Sequence, residues 1–254
     1  MTTHDLRLVI VALCVTAGCQ PTADARTGPQ AAAPAAPVRT DDPEPPPPQR
    51  FERDMMIRFH MHASFDTARG IERLLIRGKL DDARYFARLL ATEPDPPGLA
   101  PWARQIAVVR ERAAAVGSAP GIDEACRRAA RLAEACAGCH VDASAQPEFQ
   151  PPPRLPADQQ TVAARMARHQ WAADRIWEGM VGDAGDAWRA GLDVLAAAPL
   201  SWPEITSDRA GLARRLQQLA DRARHPAKDD LAERARVYGE ILVTCAACHA
   251  PPAK

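Results

Sequence analysis

Residues 162–180 read VAARMARHQWAADRIWEGM, and this stretch decides the fold class. Its apolar and ring-bearing residues recur at alternating spacings of four and three, which places them on one face of an α-helix. They are Val162, Met166, His169, Ala173, Ile176 and Met180. Neither half of the chain contains a run of alternating β-branched residues of the kind that forms strands. The stretch therefore predicts a long amphipathic helix in an all-α protein.

Residues 57–75 carry the same pattern about 105 residues earlier in the chain. They read IRFHMHASFDTARGIERLL. The equivalent helical face consists of Ile57, Met61, Ser64, Ala68, Ile71 and Leu75. Because a whole face is shared at one offset, and not a single residue, the sequence predicts an internal duplication.

Each half of the chain ends in a C-x-x-C-H motif. The first is Cys136-Ala137-Gly138-Cys139-His140 and the second is Cys245-Ala246-Ala247-Cys248-His249. On a helix the two cysteines and the histidine lie at i, i+3 and i+4 and project from one face. Two thioether bonds can then fix a porphyrin edge while the adjacent imidazole reaches the iron. We therefore expect two covalently attached c-type hemes, with His140 and His249 as the proximal iron ligands.

Two other chemistries also use paired cysteines. A structural zinc site would need both pairs together, but the gap of roughly 105 residues far exceeds the usual spacing of zinc ligands, and the histidines would go unexplained. A thioredoxin-like redox pair needs a βαβ context, which these helical patterns do not provide. Heme attachment is therefore the favoured interpretation.

Each half predicts four helices separated by Gly- and Pro-containing breaks. In the first half they span about 52–77, 80–92, 102–117 and 123–140, with Asp123 as the N-cap of the fourth. In the second half they span about 158–181, 184–198, 205–224 and 228–249. Amphipathic helices joined by short loops are typical of antiparallel bundles. The predicted fold is all-α, with two tandem four-helix bundles that each carry a C-x-x-C-H motif near the C-terminus.

The first 19 residues have the layout of an export signal. Arg7 precedes an apolar run over residues 8–17, and about ten residues are too few to span a bilayer as a helix. The segment Thr16-Ala17-Gly18-Cys19 resembles a bacterial lipobox, in which the cysteine is lipidated. We expect residues 1–19 to be a signal peptide with Cys19 as the lipidation site. The alternative is an ordinary cleaved signal in which Cys19 is incidental.

Proline divides the rest of the chain. Nine prolines fall between residues 21 and 48, and five fall between residues 147 and 156. Segments of this composition form extended tethers. The predicted organisation is a Pro/Ala-rich tether at 20–50, a first heme domain at 51–142, a Pro-rich linker at 143–157 and a second heme domain at 158–254.

The charge balance restricts the partners. The chain has 32 basic and 32 acidic residues and a formal net charge of zero. Because nucleic-acid-binding surfaces carry clustered positive charge, we expect no nucleic-acid partner. No paired catalytic carboxylates, nucleophile motif or phosphate-binding loop accompanies the cysteine motifs, so an enzyme activity is not indicated.

The placement of C-x-x-C-H near the end of a fourth helix, in bundles of roughly 90 residues, resembles the cytochrome c-prime type of class II c cytochromes. The stretches Met61-His62-Ala63-Ser64-Phe65, Ile76-Arg77-Gly78-Lys79-Leu80 and Arg168-His169-Gln170-Trp171-Ala172-Ala173-Asp174-Arg175 are similar to those of bacterial diheme proteins of this type. The resemblance covers both halves and implies a tandem diheme cytochrome.

The resemblance also indicates which residues could serve as the sixth iron ligand. Some members of the family leave that position empty or apolar, whereas others fill it with a methionine from the first helix. Met61 and Met166 are equivalent in the duplicated face and are the candidates here. His169 lies three residues after Met166 and is the alternative in the second half, where its counterpart Ser64 offers no equivalent. His62, beside Met61, is a lesser candidate.

These observations predict an exported diheme cytochrome c that transfers single electrons between redox partner proteins. The alternative is a gas-binding or sensing protein with five-coordinate heme, and a peroxidase-like role for His169 is a third hypothesis. Gln20 after the lipobox cysteine resembles lipoproteins of the outer membrane, so we expect a periplasmic protein that meets the membrane only through its lipid. Cys126 has no predicted partner and is expected to be a small buried residue.

Overall fold

The computed structural model describes residues 47–157, 161–199, 205–224 and 230–250, which belong to one compact unit. Within these ranges the chain forms α-helices and no β-strand. The predicted all-α class is confirmed, whereas the division into two tandem four-helix bundles stays a prediction. The expected signal peptide at 1–19, the lipidation site Cys19 and most of the tether at 20–50 lie outside the described residues.

The described part of the chain contains eight α-helices. In the first half they are α1 (Pro47–Ile76), α2 (Leu80–Thr92), α3 (Ala103–Gly117) and α4 (Ile122–Asp142). In the second half they are α5 (Val162–Val181), α6 (Gly185–Ala196), α7 (Ser207–Ala223) and α8 (Leu231–His249). A short 3₁₀ turn, Ala100–Trp102, leads into α3. Among these helices, none is both long and apolar enough to cross a membrane.

Two predicted boundaries in the first half are wrong. Helix α1 begins at Pro47, inside the segment 20–50 that was assigned to the tether. Proline is tolerated in the first turn of a helix because the N–H groups there have no intrahelical partner. Asp123 is not the N-cap of α4, since Gly121 takes that position in an extended conformation. Asp123 lies instead in the first helical turn, where its negative charge favours the helix dipole.

Within each half the helices pack in the order of the chain. Helices α1 and α2, α2 and α3, and α3 and α4 are neighbours, and α4 also contacts α1. In the second half α5 packs on α6, α6 on α7, α7 on α8, and α8 contacts α5. The loops between successive helices are short, so α1 and α4 run antiparallel, as do α5 and α8.

The most extensive contact joins the two halves through α4 and α8. Ala130 lies on this face of α4, 3.7 Å from a Cβ atom placed at Gly239 on α8. Arg127 donates to Glu240 at 2.9 Å, whereas Arg131 reaches the carbonyl of Ala232 at 3.3 Å. Residues with higher numbers on α4 contact residues with lower numbers on α8, so the two helices are antiparallel. The helical halves therefore share one hydrophobic core.

The Pro-rich segment at 143–157 packs against both halves. The ring of Phe149 lies 5.4 Å from the ring of Phe65 on α1. Trp171 on α5 donates its indole N–H to the carbonyl of Pro153 at 2.8 Å, and Arg168 donates to the carbonyl of Pro156 at 2.7 Å. The predicted linker is therefore held along α1 and α5 by ring contacts and side-chain hydrogen bonds.

Helices α5 and α6 approach each other at glycines. A Cβ atom added at Gly191 would lie 2.5 Å from the carbonyl oxygen of Ala172 and 2.6 Å from Cγ1 of Ile176. A Cβ atom added at Gly179 would lie 2.5 Å from the backbone nitrogen of Trp188. These distances are too short for any side chain, so the two glycines set the separation of the helices.

We predict that Gly191→Ala lowers the free energy of unfolding by about 1–3 kcal/mol, because the new methyl group meets backbone atoms that cannot move aside. Gly70→Ala is the matched control, since a Cβ atom at that helical position contacts nothing within 4 Å. The control should be stabilised by about 0.5–1 kcal/mol, the usual gain of replacing a mid-helix glycine. Urea denaturation measures both values. A Gly191→Ala protein as stable as the wild type would rule out the close approach of α5 and α6.

Candidate functional site

Both C-x-x-C-H motifs occupy the final turns of long helices. The first lies near the end of α4 and the second closes α8, whose last residue is His249. The cysteines of the motifs are half-buried, and all four carry free thiols. Because both segments are helical, the two cysteines and the histidine of each motif share one face, as heme attachment requires.

Local interactions start the two helices that carry the motifs. At the N-terminus of α8 the carboxylate of Asp230 accepts a hydrogen bond from the backbone N–H of Ala232 at 2.9 Å. On α4 Glu124 pairs with Arg128 one turn later at 2.8 Å. Such caps and i, i+4 pairs stabilise a helix by satisfying its first backbone groups and by complementing its dipole. Each motif is thus held at the end of a helix that begins with its own polar anchor.

His140 is oriented by a contact from the other half of the chain. Its Nδ1–H donates to the carbonyl oxygen of Val181, the last residue of α5, at 3.0 Å. With Nδ1 engaged, Nε2 is the ring nitrogen left to bind a metal, an arrangement common among metal-ligating histidines. Burial lowers the pKa of His140 below its usual value. The imidazole is therefore neutral near neutral pH, the form that can act as a ligand.

The second motif brings two histidines into one site. Burial, followed by the charge of His249 and of two arginines, lowers the pKa of His169 on α5 to about 4. The two imidazoles are therefore near enough for their charges to interact. The pKa of His249 is itself lowered by burial, by Arg209 and by Arg77. The structure thus surrounds the second motif with one neutral histidine and two arginines.

Met61 and Met166 are both half-buried. Met61 precedes the end of α1 by about 15 residues, and Cys136 follows the start of α4 by about 14 residues. Because the two helices are antiparallel, the end of α1 lies beside the start of α4. Both residues are therefore roughly 21–22 Å from that shared end. Met166 on α5 has the same relation to Cys245 on α8. Each methionine therefore lies at the height of the nearby motif. His62, the lesser candidate, is exposed.

Burial makes the motif cysteines poor nucleophiles. It raises the pKa of Cys136 to about 12 and raises the pKa of Cys245 still further. The pKa values of Cys139 and Cys248 are also raised, with burial as the main cause. Redox-active C-x-x-C pairs have the opposite property, a thiol pKa lowered by a helix N-terminus or by nearby positive charge. The pairs are therefore unsuited to thiol–disulfide exchange.

The two cysteine pairs lie far apart. Because Arg127 on α4 is opposite Gly239 and Glu240 on α8, the motifs extend from this crossing in opposite directions. Roughly 21 residues of helix separate Cys139 from Cys248 along the common axis, or about 30 Å at a rise of about 1.5 Å per residue. Four cysteines so arranged cannot bind one zinc ion, which excludes the alternative of a shared zinc site.

A buried carboxyl group lies between the two motifs, where no functional residue was predicted. Glu72 on α1 is 0% exposed, and its Oε1 accepts a hydrogen bond of 2.9 Å from the hydroxyl of Tyr238 on α8. Its Oε2 has no hydrogen-bond partner. Burial raises the pKa of Glu72 to about 7, although the hydrogen bond from Tyr238 opposes this effect. A carboxyl group in this setting changes its charge near neutral pH.

The sequence contains one signal for this group. Glu72 follows Ile71 on the apolar face of α1, between Ala68 and Leu75, and all three of those residues are buried. A charged residue on a buried helical face needs a partner. The sequence shows the charge but not the partner, because Tyr238 lies 166 positions away.

The described residues contain no cluster of three or more His, Cys, Asp or Glu side chains arranged to hold a metal ion. Heme makes a different demand on the protein, because the porphyrin supplies most of the iron ligands and the chain adds only one or two side chains. Free thiol pairs beside a histidine with an available nitrogen match that demand.

Comparisons with known proteins give no match from which a function could be inferred. No protein-family model, no curated protein and no solved structure matches the chain. The two cysteine motifs, the histidines beside them and the buried carboxyl of Glu72 therefore carry the functional interpretation.

We predict that Glu72 makes the stability of the protein depend on pH. Because burial raises its pKa from 4.5 to about 7, the native state favours the protonated form, and that stabilisation is lost as the pH rises from about 4.5 through about 7. The loss is at most about 3 kcal/mol. Denaturant titrations of wild type and Glu72→Gln from pH 4.5 to 8 measure it.

The neutral amide introduced by Glu72→Gln keeps an acceptor for Tyr238, so the stability of E72Q should fall less with pH than that of the wild type. The exposed Glu52 lies on the same helix, and Glu52→Gln is the matched control that should follow the wild-type curve. Parallel curves for the wild type and E72Q over this range would contradict a raised pKa at Glu72.

Proposed function

We propose that the protein is an exported diheme cytochrome c that transfers one electron at a time through two covalently bound hemes. The observation that carries this proposal is the pair of C-x-x-C-H motifs, each helical, each with free thiols and each at the end of a long helix. A bound c-type heme supplies an iron that changes its oxidation state by one electron. The protein's own residues fix the heme and set the properties of the iron.

Attachment is the task of the cysteines. Cys136 and Cys139 would form the thioethers of the first heme, and Cys245 and Cys248 those of the second. The raised pKa of the thiols of Cys136 and Cys245 argues against disulfide exchange as their function. Cys126 is 0% exposed and lies on α4 well before the motif, so it takes no part in attachment.

The histidines of the motifs would bind the iron on the proximal side. The hydrogen bond from Nδ1–H of His140 to Val181 holds the first ring in one tautomer and raises the basicity of Nε2. As a further side chain that would bind the second iron we propose His169, because its imidazole is near enough to His249 for their charges to interact. Met166, one turn away, is the alternative ligand for that site.

The first site differs from the second. Ser64 occupies the position equivalent to His169, and its hydroxyl donates to Glu93 at 3.2 Å. Met61 then remains as the candidate sixth ligand of the first heme. This difference favours gas binding by a five-coordinate heme, the second candidate function, at the first site only. If Met61 does not bind, the first heme is five-coordinate and can take up a diatomic gas.

The finer architecture follows from the same proposal. Helices α1–α4 and α5–α8 would each form a four-helix bundle of the cytochrome c-prime type, with heme domains at about 51–142 and 158–254 as the sequence predicts. The N-terminal signal and lipobox support export to the periplasm and anchoring at the outer membrane through Cys19. The partners would be redox proteins that exchange electrons with the two hemes, and no enzyme activity is required.

We predict two covalent hemes per chain. Purified full-length protein, produced with a c-type maturation system, should give a pyridine hemochrome of two hemes and retain both through acid–acetone extraction. Cys136→Ala/Cys139→Ala and Cys245→Ala/Cys248→Ala should each keep one heme. Cys126→Ala is the matched control and should keep two. Release of heme from the wild type by acid–acetone would overturn covalent attachment.

The axial ligands have a separate test in the ferric electron paramagnetic resonance spectrum. His169→Ala should convert the second heme from low spin to high spin, whereas Met166→Ala should leave it low spin. Met61→Ala should convert the first heme alone. A second heme that turns high spin in M166A and not in H169A would assign the ligand to the methionine instead.

A further inference from the structure

Electron transfer alone does not require a carboxyl group that is as buried and as incompletely hydrogen-bonded as that of Glu72. Its carboxyl is fully buried, Oε1 is bonded to Tyr238, and Oε2 faces no donor. A carboxylate in such a place is costly unless it is paired, whereas the protonated form removes the charge. The position is therefore suited to a group that gains and loses a proton.

Several titratable and charged groups face Glu72 from the helices around it. On its own helix these are Arg69 and Arg73, and on α5 it is Asp174. Both arginines bind Asp174, at 2.7 and 3.2 Å, and are thus committed to another carboxylate. The remaining groups are Cys126 on α4 and Tyr238 and Cys245 on α8. None of these thiol or phenol groups is charged near neutral pH, since the pKa of each is raised by burial.

The carboxyl is also close to one heme attachment site. Tyr238 precedes Cys245 by seven residues, or two helical turns, so the two share a face of α8 and lie about 10 Å apart along the axis. The half-buried Cys245 interacts electrostatically with Glu72. Charges in this dry interior interact more strongly than in water. A change of charge at the second heme would therefore change the free energy of ionising Glu72.

We propose that Glu72 is a redox-linked proton site, whose carboxyl takes up one proton when an electron reaches the heme held by Cys245, Cys248 and His249. This inference rests on the proposed function. The electron comes from the external donor and the proton from solvent, and both leave when the site is reoxidised. Linkage makes the effect reciprocal, so protonation of Glu72 favours reduction as much as reduction favours protonation.

The positions equivalent to Glu72 and Tyr238 in the repeat hold no such pair, and Glu178, a buried carboxyl one turn before Val181 at the first motif, is paired with Arg175. At the offset of the internal repeat, the position of Glu72 is taken by Trp177 and that of Tyr238 by Ala129, and neither side chain titrates. Glu72 itself lies eleven residues beyond Met61 on α1, roughly 16 Å further from the first motif. The two hemes of one molecule should therefore differ in their response to pH.

The test is a spectroelectrochemical titration of the full-length diheme protein between pH 5.5 and 8.5. The midpoint potential of one heme should fall as the pH rises. We expect the equilibrium constant for its reduction to decrease roughly tenfold, which corresponds to about 59 mV for one electron. The other heme should stay nearly constant. In Glu72→Gln both hemes should be independent of pH. Glu52→Gln, the exposed control on the same helix, should keep the wild-type dependence.

A second measurement follows the carboxyl itself. Infrared difference spectra of the wild type between its oxidised and reduced states at pH 7 should show a protonated carboxyl C=O band that E72Q lacks. Potentials independent of pH in the wild type, or an unchanged dependence in E72Q, would overturn the proposal while leaving the cytochrome intact. Absence of covalent heme in the purified protein would instead overturn the proposed function, and the proton site with it.

Discussion

The antiparallel packing of α4 against α8 is the constraint on which the rest of the structure depends. Ala130 on α4 and Gly239 on α8 allow the helices to lie close, since a Cβ atom at Gly239 would come within 3.2 Å of Cα of Arg127. The same contact joins the two halves in one core. Because each helix carries its cysteine motif at the C-terminal end, antiparallel packing places the motifs at opposite ends of the molecule.

This separation gives each proposed heme its own surroundings. At about 30 Å and an effective dielectric constant of about 20, two unit charges interact by only about 0.5 kcal/mol. The ligands and buried groups near each motif therefore dominate its potential. His140 donates to a carbonyl at the end of α5, whereas the pKa of His249 is lowered by the nearby charges of Arg209 and Arg77. The two motifs therefore lie in chemically different surroundings.

Local patterns in the sequence suffice to predict the helices and both motifs, because periodicity and i, i+3, i+4 spacing depend on residues within a few turns. The start of α1 and the N-cap of α4 are wrong, since a proline first turn and an extended Gly121 compete with the expected boundaries. The proximity of His169 to His249 and of Glu72 to Tyr238 depends on how distant helices pack. No local pattern contains that information.

The distance between the two ferric hemes tests the central claim most directly, because it requires both hemes and the antiparallel α4–α8 pair at once. Pulsed electron paramagnetic resonance on the full-length oxidised protein measures this distance. The motifs lie about 30 Å apart along the α4–α8 axis, so two irons bound at His140 and His249 would be separated by about 30 Å or more. A distance of half that value, or a single paramagnetic iron per chain, would contradict the account.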